Sequence, residues 1–189
     1  MRTKRKDKSK HDDPVYVFDL DYTLYSKYNV NDKGNDDEFY NSFYEKQGMN
    51  QLLKSIKRKY IFTNGNSEHA NDVIKRMNLG KLFPPNNVLS CDMVKDKNGE
   101  DSYKPDLHFY EAAIKKFNIQ PNDKVYFFED TKENLKTAKN IGWNTVFLTE
   151  EKIYTSKKPR YIDIVTKSVE EAIISTKALT LYCTKNTFD

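Results

Sequence analysis

Asp19 and Asp21 stand one residue apart at the end of an apolar run, Val15-Tyr16-Val17-Phe18, and are followed by Tyr22-Thr23-Leu24. Two carboxylates this close need a cation, a proton or a cationic partner, because the charge on one opposes ionisation of the other. A hard cation such as Mg2+ meets that need, since it takes oxygen ligands from carboxylates and backbone carbonyls alike. A lone Asp-x-Asp also reads as a strand-end turn, so the elements around it have to decide.

The apolar run shows no polar alternation, which fits a strand buried on both faces of a parallel sheet. Asp19 and Asp21 then fall at its carboxyl end, the edge at which open α/β sheets bind ligands. Five more strands are predicted: 60–62 ending in Thr63-Asn64-Gly65, 88–91, 124–128 ending in Glu129-Asp130, 145–148 and 161–165. Between them the apolar spacing predicts helices. One covers 51–59 with Leu52, Leu53 and Ile56 inward. The next is capped by Asn66 or Ser67, carries the stripe Ala70, Val73, Ile74 and Met77, and stops at Gly80. A third starts at Pro105 with Leu107, Tyr110, Ile114 and Phe117 inward. A fourth has Leu135 and Ala138 inward and stops at Gly142, and the last opens on the capping box Ser168-Val169-Glu170-Glu171. Such alternation implies an α/β fold with a doubly wound, mainly parallel, Rossmann-like sheet and helices on both faces.

The polar residues gather at the strand ends, as Asp19 and Asp21, Thr63 and Asn64, and Glu129 and Asp130, with Lys104-Pro105 at a helix start. D-x-D-x-T-L, T-N, K-P and E-D-x-x-x-N, in this order, resemble the four motifs of the haloacid dehalogenase-like phosphohydrolases over Val15 to about Leu148. T-N-x-x-x-x-H-A at Thr63 to Ala70 and F-F-E-D-T-x-x-N before G-W-N-T-V resemble, more narrowly, the pyrimidine 5'-nucleotidase-like branch.

The resemblance implies an aspartyl-phosphate mechanism. Asp19 would be the nucleophile, splitting hydrolysis into two displacements. Asp21 would protonate the leaving oxygen and then take a proton from water, with nearby negative charge raising its pKa. Mg2+ would be held by Asp19, the Asp21 backbone carbonyl and Asp130. Thr63 and the Asn64 backbone would bond the phosphoryl oxygens, and Lys104 would neutralise both phosphate and Asp19. Glu129 and Asn134 would act one layer out, orienting neighbours. Tyr22 stands where Asn or Gly is commoner and reads either as an aromatic wall or as an outward ring. His69 reads either as a packed helix residue or as a substrate contact.

Only 43 residues lie between Asp19 and Thr63, so the segment 25–49 reads as a reduced cap or flap in place of a full helical cap. Asn31 to Asp36 give a turn signal there, and Phe39, Phe43 and Tyr44 recur at helical spacing.

With 189 residues the chain suits one domain, taken as 14–177 between a basic tail at 1–13 and a C-terminal tail at 178–189. Of the net charge of +4, residues 1–13 hold six Lys or Arg against three Asp, so the remainder is close to neutral. The body therefore lacks the gross basic excess of a nucleic-acid binder. The tail reads as a solvated arm, with contact to a polyanion as its alternative. No segment approaches the ~18 apolar residues of a membrane span, and the N-terminus lacks the apolar core of a secretory signal. Cys91 and Cys183 form neither a disulfide framework nor a zinc spacing, and a reducing, intracellular, cytoplasmic setting is expected.

The function these residues imply is Mg2+-dependent hydrolysis of a phosphomonoester, with a nucleotide or similar small phosphate as substrate. The alternatives are a phosphatase for a nucleic-acid end or a phosphoprotein, and a phosphate-binding scaffold without catalysis. Oligomeric state is not readable from the sequence.

Overall fold

In a computed structural model, which describes residues 13–25, 47–149 and 158–185, six strands form one sheet in the order β3-β2-β1-β4-β5-β6. They are β1 (Val15–Phe18), β2 (Arg58–Phe62), β3 (Val88–Leu89), β4 (Val125–Glu129), β5 (Asn144–Leu148) and β6 (Ile164–Thr166). Every pairing is parallel. β1 lies at the centre, with Val15 opposite both Arg58 on β2 and Val125 on β4. The strand order reverses between β1 and β4, which puts the ligand crevice of a doubly wound sheet at their carboxyl ends.

All four residues of β1 and all five of β4 are buried, and alternation sends their side chains into two cores. Tyr16 and Phe18 join α1 (Gln47–Lys54), α2 (Ser67–Arg76) and α5 (Val169–Lys185) through Leu53, Val73 and Ile173 on one face. Val15 and Val17 join α3 (Leu107–Lys116) and α4 (Lys132–Asn140) through Phe109, Tyr110 and Leu135 on the other. The sheet is therefore covered on both sides, which is why its central strands read as unbroken apolar runs.

Element boundaries depart from the sequence expectation where long-range contacts decide them. The helix expected over 51–59 is α1, shifted to Gln47–Lys54, because Arg58 and Lys59 are drawn into β2. Both guanidinium nitrogens of Arg58 bind the Asp123 carboxylate, at 2.7 and 2.6 Å. α2 is capped by Asn66, whose side chain accepts from the His69 amide at 2.8 Å, but it ends before Gly80. Asn78 takes the left-handed turn there, at φ 55°. α3 begins after Pro105 with Asp106 as its cap, and Leu107 is 49% exposed instead of inward. Its buried stripe is Phe109, Tyr110, Ala113 and Phe117.

β3 is only Val88–Leu89, because Cys91 opens a short 3-10 turn. β6 starts at Ile164 instead of residue 161, because the chain before it is folded into a turn in which the Ile162 N–H bonds the Pro159 carbonyl at 3.0 Å. Gly142 stops α4 as expected, at φ 90°. In the box before α5, Ser168 Oγ accepts from Glu171 N–H, while the Glu171 carboxylate accepts from Lys167 N–H instead of Ser168 N–H. α5 runs on to Lys185, past the boundary expected at residue 177. Residues 1–12 of the basic tail and the aromatic helix expected around Phe39, Phe43 and Tyr44 lie outside the described residues.

Candidate active site

Four chain segments meet at the carboxyl edge of β1, β2 and β4. Lys104 arrives from the loop before α3, is joined to Pro105 by a cis peptide bond, and has its side chain fully enclosed. The ammonium donates to Asp19 Oδ1 at 2.6 Å, to Glu129 Oε2 at 2.8 Å and to the Phe62 carbonyl at 2.9 Å. It also lies 5.3 and 5.4 Å from the ring centres of Phe62 and Phe127, which gives the stem an apolar seat. Asn64 holds the Lys104 backbone in place by accepting from its N–H at 2.7 Å and donating to its carbonyl at 3.0 Å.

The acids around Lys104 outnumber it. Burial, followed by the charge of Glu129, raises the Asp19 carboxyl well above the usual range, although Lys104 pulls the other way. Burial would lower Lys104, but Asp19 and Glu129 outweigh it and raise the ammonium. Asp130 is pushed up to about 6, by burial first and by Glu129 second. Asp19, Glu129 and Asp130 can each offer an oxygen, all within 4.8 Å of one another. An all-oxygen set short of positive charge suits a hard divalent cation such as Mg2+, so these residues fit the metal that the motifs imply. The two oxygens of Glu129 already accept from Lys104, from Asn134 Nδ2 at 3.0 Å and from Thr131 N–H at 3.1 Å.

Asp21 faces a different environment from Asp19. Its Oδ1 accepts from Tyr25 Oη and contacts His69 Nε2, both at 2.6 Å, and its Oδ2 accepts from Thr63 Oγ1 at 3.3 Å. Burial pushes this carboxyl up, but the bonds from His69 and Tyr25 win and hold it below the usual range. The expectation that neighbouring negative charge raises Asp21 is thus reversed, because a histidine on α2 reaches it. The same bond from Asp21 raises His69 against the opposing effect of burial.

The structure brings Asp19, Asp21, Thr63, Asn64, Lys104, Glu129, Asp130 and Asn134 to this one edge. Sequence reasoning missed Tyr25 and the tie between His69 and Asp21. Tyr25 is four residues beyond Asp21, the separation at which a turn folds back on itself, and this was the available signal. Leu24 N–H bonds the Leu20 carbonyl at 3.0 Å and closes that turn. Tyr22 lies within it at φ 59°, a conformation that favours Gly or Asn, and its ring is 42% exposed and edge-on to Tyr25.

A doubly wound parallel sheet with carboxylates, a threonine and a buried lysine at the reversal of strand order defines an α/β enzyme scaffold. The chain belongs to the haloacid dehalogenase-like hydrolase family, which it matches over residues 36–142. It is 26% identical over 128 residues to Phosphate metabolism protein 8 of Saccharomyces cerevisiae, a match covering 63% of this chain and 38% of that protein. It is 30% identical over 107 residues to the Phosphorylated carbohydrates phosphatase of Thermotoga maritima, covering 54% of this chain and 45% of the relative. The chain thus spans less than half the length of these two relatives. Among solved structures, a dehalogenase shares the fold with a TM-score of 0.57 at 18% identity, over 85% of this chain and 95% of that one. No helix among the described residues is long and apolar enough to cross a membrane.

Proposed function

We propose that this chain is a Mg2+-dependent phosphomonoester hydrolase that works through an aspartyl-phosphate on Asp19. The observation that carries the reading is the placement of the Lys104 ammonium 2.6 Å from Asp19 Oδ1 at the strand-order reversal, with Asp21 and Thr63 alongside. A buried carboxylate held against a fixed cation is poised to attack phosphorus while that cation takes up phosphate charge.

In the first step an Asp19 oxygen bonds to phosphorus, the ester P–O bond breaks, and Asp21, which takes up its proton when the negative charge of the bound phosphate offsets the pull of His69 and Tyr25, gives that proton to the departing oxygen. In the second, water attacks phosphorus, Asp21 accepts its proton, and the bond to Asp19 breaks to release inorganic phosphate. Thr63 and the Asn64 backbone hold the phosphoryl oxygens, and Glu129 and Asn134 keep Lys104 aimed. Asp19, Asp130 and the Asp21 backbone carbonyl would hold Mg2+, which would supply charge stabilisation for the transferring group.

The name of the Thermotoga relative supports a small phosphorylated substrate. The motif likeness makes a nucleotide monophosphate the first class to test. Hydrolysis of 4-nitrophenyl phosphate by purified protein provides the assay. Chelation with EDTA should abolish turnover and Mg2+ should restore it. Asp19→Asn should lose essentially all of it. Undiminished activity in excess EDTA would remove the metal from the reading, and substantial turnover by Asp19→Asn would remove the nucleophile.

A further inference from the structure

We propose that His69 is the positioning residue for Asp21, which it pins through Oδ1 so that Oδ2 is the oxygen left to exchange protons with leaving group and water. This rests on the reading of Asp21 as the acid and base of the reaction. A carboxylate on a strand-end turn can rotate about its last side-chain bond, and either oxygen could then face the substrate. Here that freedom is removed, because Tyr25 Oη and His69 Nε2 both lie 2.6 Å from the same atom, Oδ1. Oδ2 is directed toward Thr63 Oγ1, which is itself fixed by the Gly65 N–H at 2.9 Å.

The seat of the His69 ring is built with equal care. His69 is the third residue of α2, and its own N–H is held by the Asn66 cap at 2.8 Å. The space beside the ring exists only because residue 65 is glycine. A Cβ there would lie 2.8 Å from His69 Cδ2, 3.3 Å from Thr63 Oγ1 and 3.4 Å from Asp21 Oδ2. The first distance is closer than real Cβ contacts come, so any side chain at 65 would displace the imidazole. The run Thr63-x-Gly65-Asn66-x-x-His69 is therefore one device: phosphate-side hydroxyl, space, cap and imidazole, all converging on one carboxylate.

A histidine that merely stabilises the fold would affect all substrates alike, whereas one that aims a proton-transfer group matters most where the leaving oxygen needs the proton. The experiment compares 4-nitrophenyl phosphate, whose phenolate departs without much help, with glycerol phosphate, whose alkoxide does not. His69→Ala should lose about a hundredfold in kcat on glycerol phosphate with KM little changed, the scale expected when a reacting group is misplaced. The loss on 4-nitrophenyl phosphate should be at least about tenfold smaller. His69→Gln, which keeps a donor, should recover part of the difference. Gly65→Ala should reproduce the pattern, and the double variant should be no worse than the poorer single one, since both act on one contact.

Equal losses on both substrates, a change in KM alone, or additive losses in the double variant would overturn the proposal. If His69→Ala does not fold, Gly65→Ala carries the same comparison. Asp21→Asn run in parallel separates the two levels of argument. If it hydrolyses glycerol phosphate at a near-normal rate, Asp21 is not the acid and the inference falls with it. If it is inactive while the His69 variants behave as wild type, the positioning claim alone fails.

Discussion

Replacing Lys104 with methionine keeps the apolar stem between Phe62 and Phe127 and removes only the ammonium, which makes it the sharpest perturbation of this site. Two carboxylates then lose their counter-ion inside the protein, Asp19 from a contact of 2.6 Å and Glu129 from one of 2.8 Å, and the Phe62 carbonyl loses a donor. At these separations each ion pair is worth about 6 kcal/mol at an effective dielectric of about 20. Desolvation of the ammonium in the native protein offsets much of this, which leaves about 3–5 kcal/mol for breaking one side of a buried pair. With a urea slope of about 2 kcal/mol per M, a loss of about 4 kcal/mol moves the unfolding midpoint down by about 2 M. The defect should also depend on pH. Asp19 is already raised by burial and Glu129, and without Lys104 it rises further. A carboxyl raised in the folded state contributes stability that is present below its unfolded pKa and is lost as pH rises through the folded value. Lys104→Met should therefore be closer to wild type in acid than at pH 8. Adding Glu129→Gln removes one of the stranded charges, so the double variant should recover part of the stability while remaining inactive. Urea titrations of the metal-free proteins at two pH values provide the measurement. A Lys104→Met protein as stable as wild type at pH 8 would refute the account of a buried, charge-compensating lysine.

Arg58→Met should cost about 2–3 kcal/mol in thermal or urea unfolding, because it strands the Asp123 carboxylate after loss of a two-pronged contact. Turnover of the remaining folded fraction should be unaffected, since Arg58 lies at the opposite end of β2 from Thr63. Burial would raise Asp163, but Lys139 and the Thr145 N–H outweigh it and hold the carboxyl below the usual range. Its contribution is thus present above the unfolded carboxylate pKa and lost as pH falls through the folded one. Asp163→Asn should lower stability near neutrality and flatten the acid limb of a pH–stability curve; an unchanged limb would contradict this. A reduced cap at 25–49, as the sequence predicts, would leave little surface to grip a leaving group. Steady-state kinetics should accordingly show less than about a hundredfold spread, or roughly 2.7 kcal/mol, among purine, pyrimidine and sugar monophosphates. A larger preference from a monomer would show that a compact specificity element exists.

The chain by itself declared the alternation of strands and helices, because central parallel strands are apolar on both faces and helices carry a stripe every three to four residues. It also declared which residue types stand at strand ends, since Asp19, Thr63 and Glu129-Asp130 each terminate an apolar run. Boundaries set by remote partners were not legible. Arg58 belongs to a strand because Asp123 and the register with β1 take it there, and Leu107 leaves the core because Asp106 caps α3 one residue earlier. Glycine at 80 looked like the stop for α2, but Asn78 can also occupy the left-handed region and does so first. The ionic character of the site was likewise decided only by tertiary structure. Lys104 meets Asp19 across 85 residues and His69 meets Asp21 across 48, and such separations leave no periodic trace in the sequence. Whether a carboxyl is raised or lowered depends on which neighbour arrives. Asp19, two residues from Asp21, is pushed up by burial and Glu129, while Asp21 is held down by a histidine and a tyrosine. Residue type names the chemistry a position can perform; distance and burial in the folded chain set the charge with which it performs it.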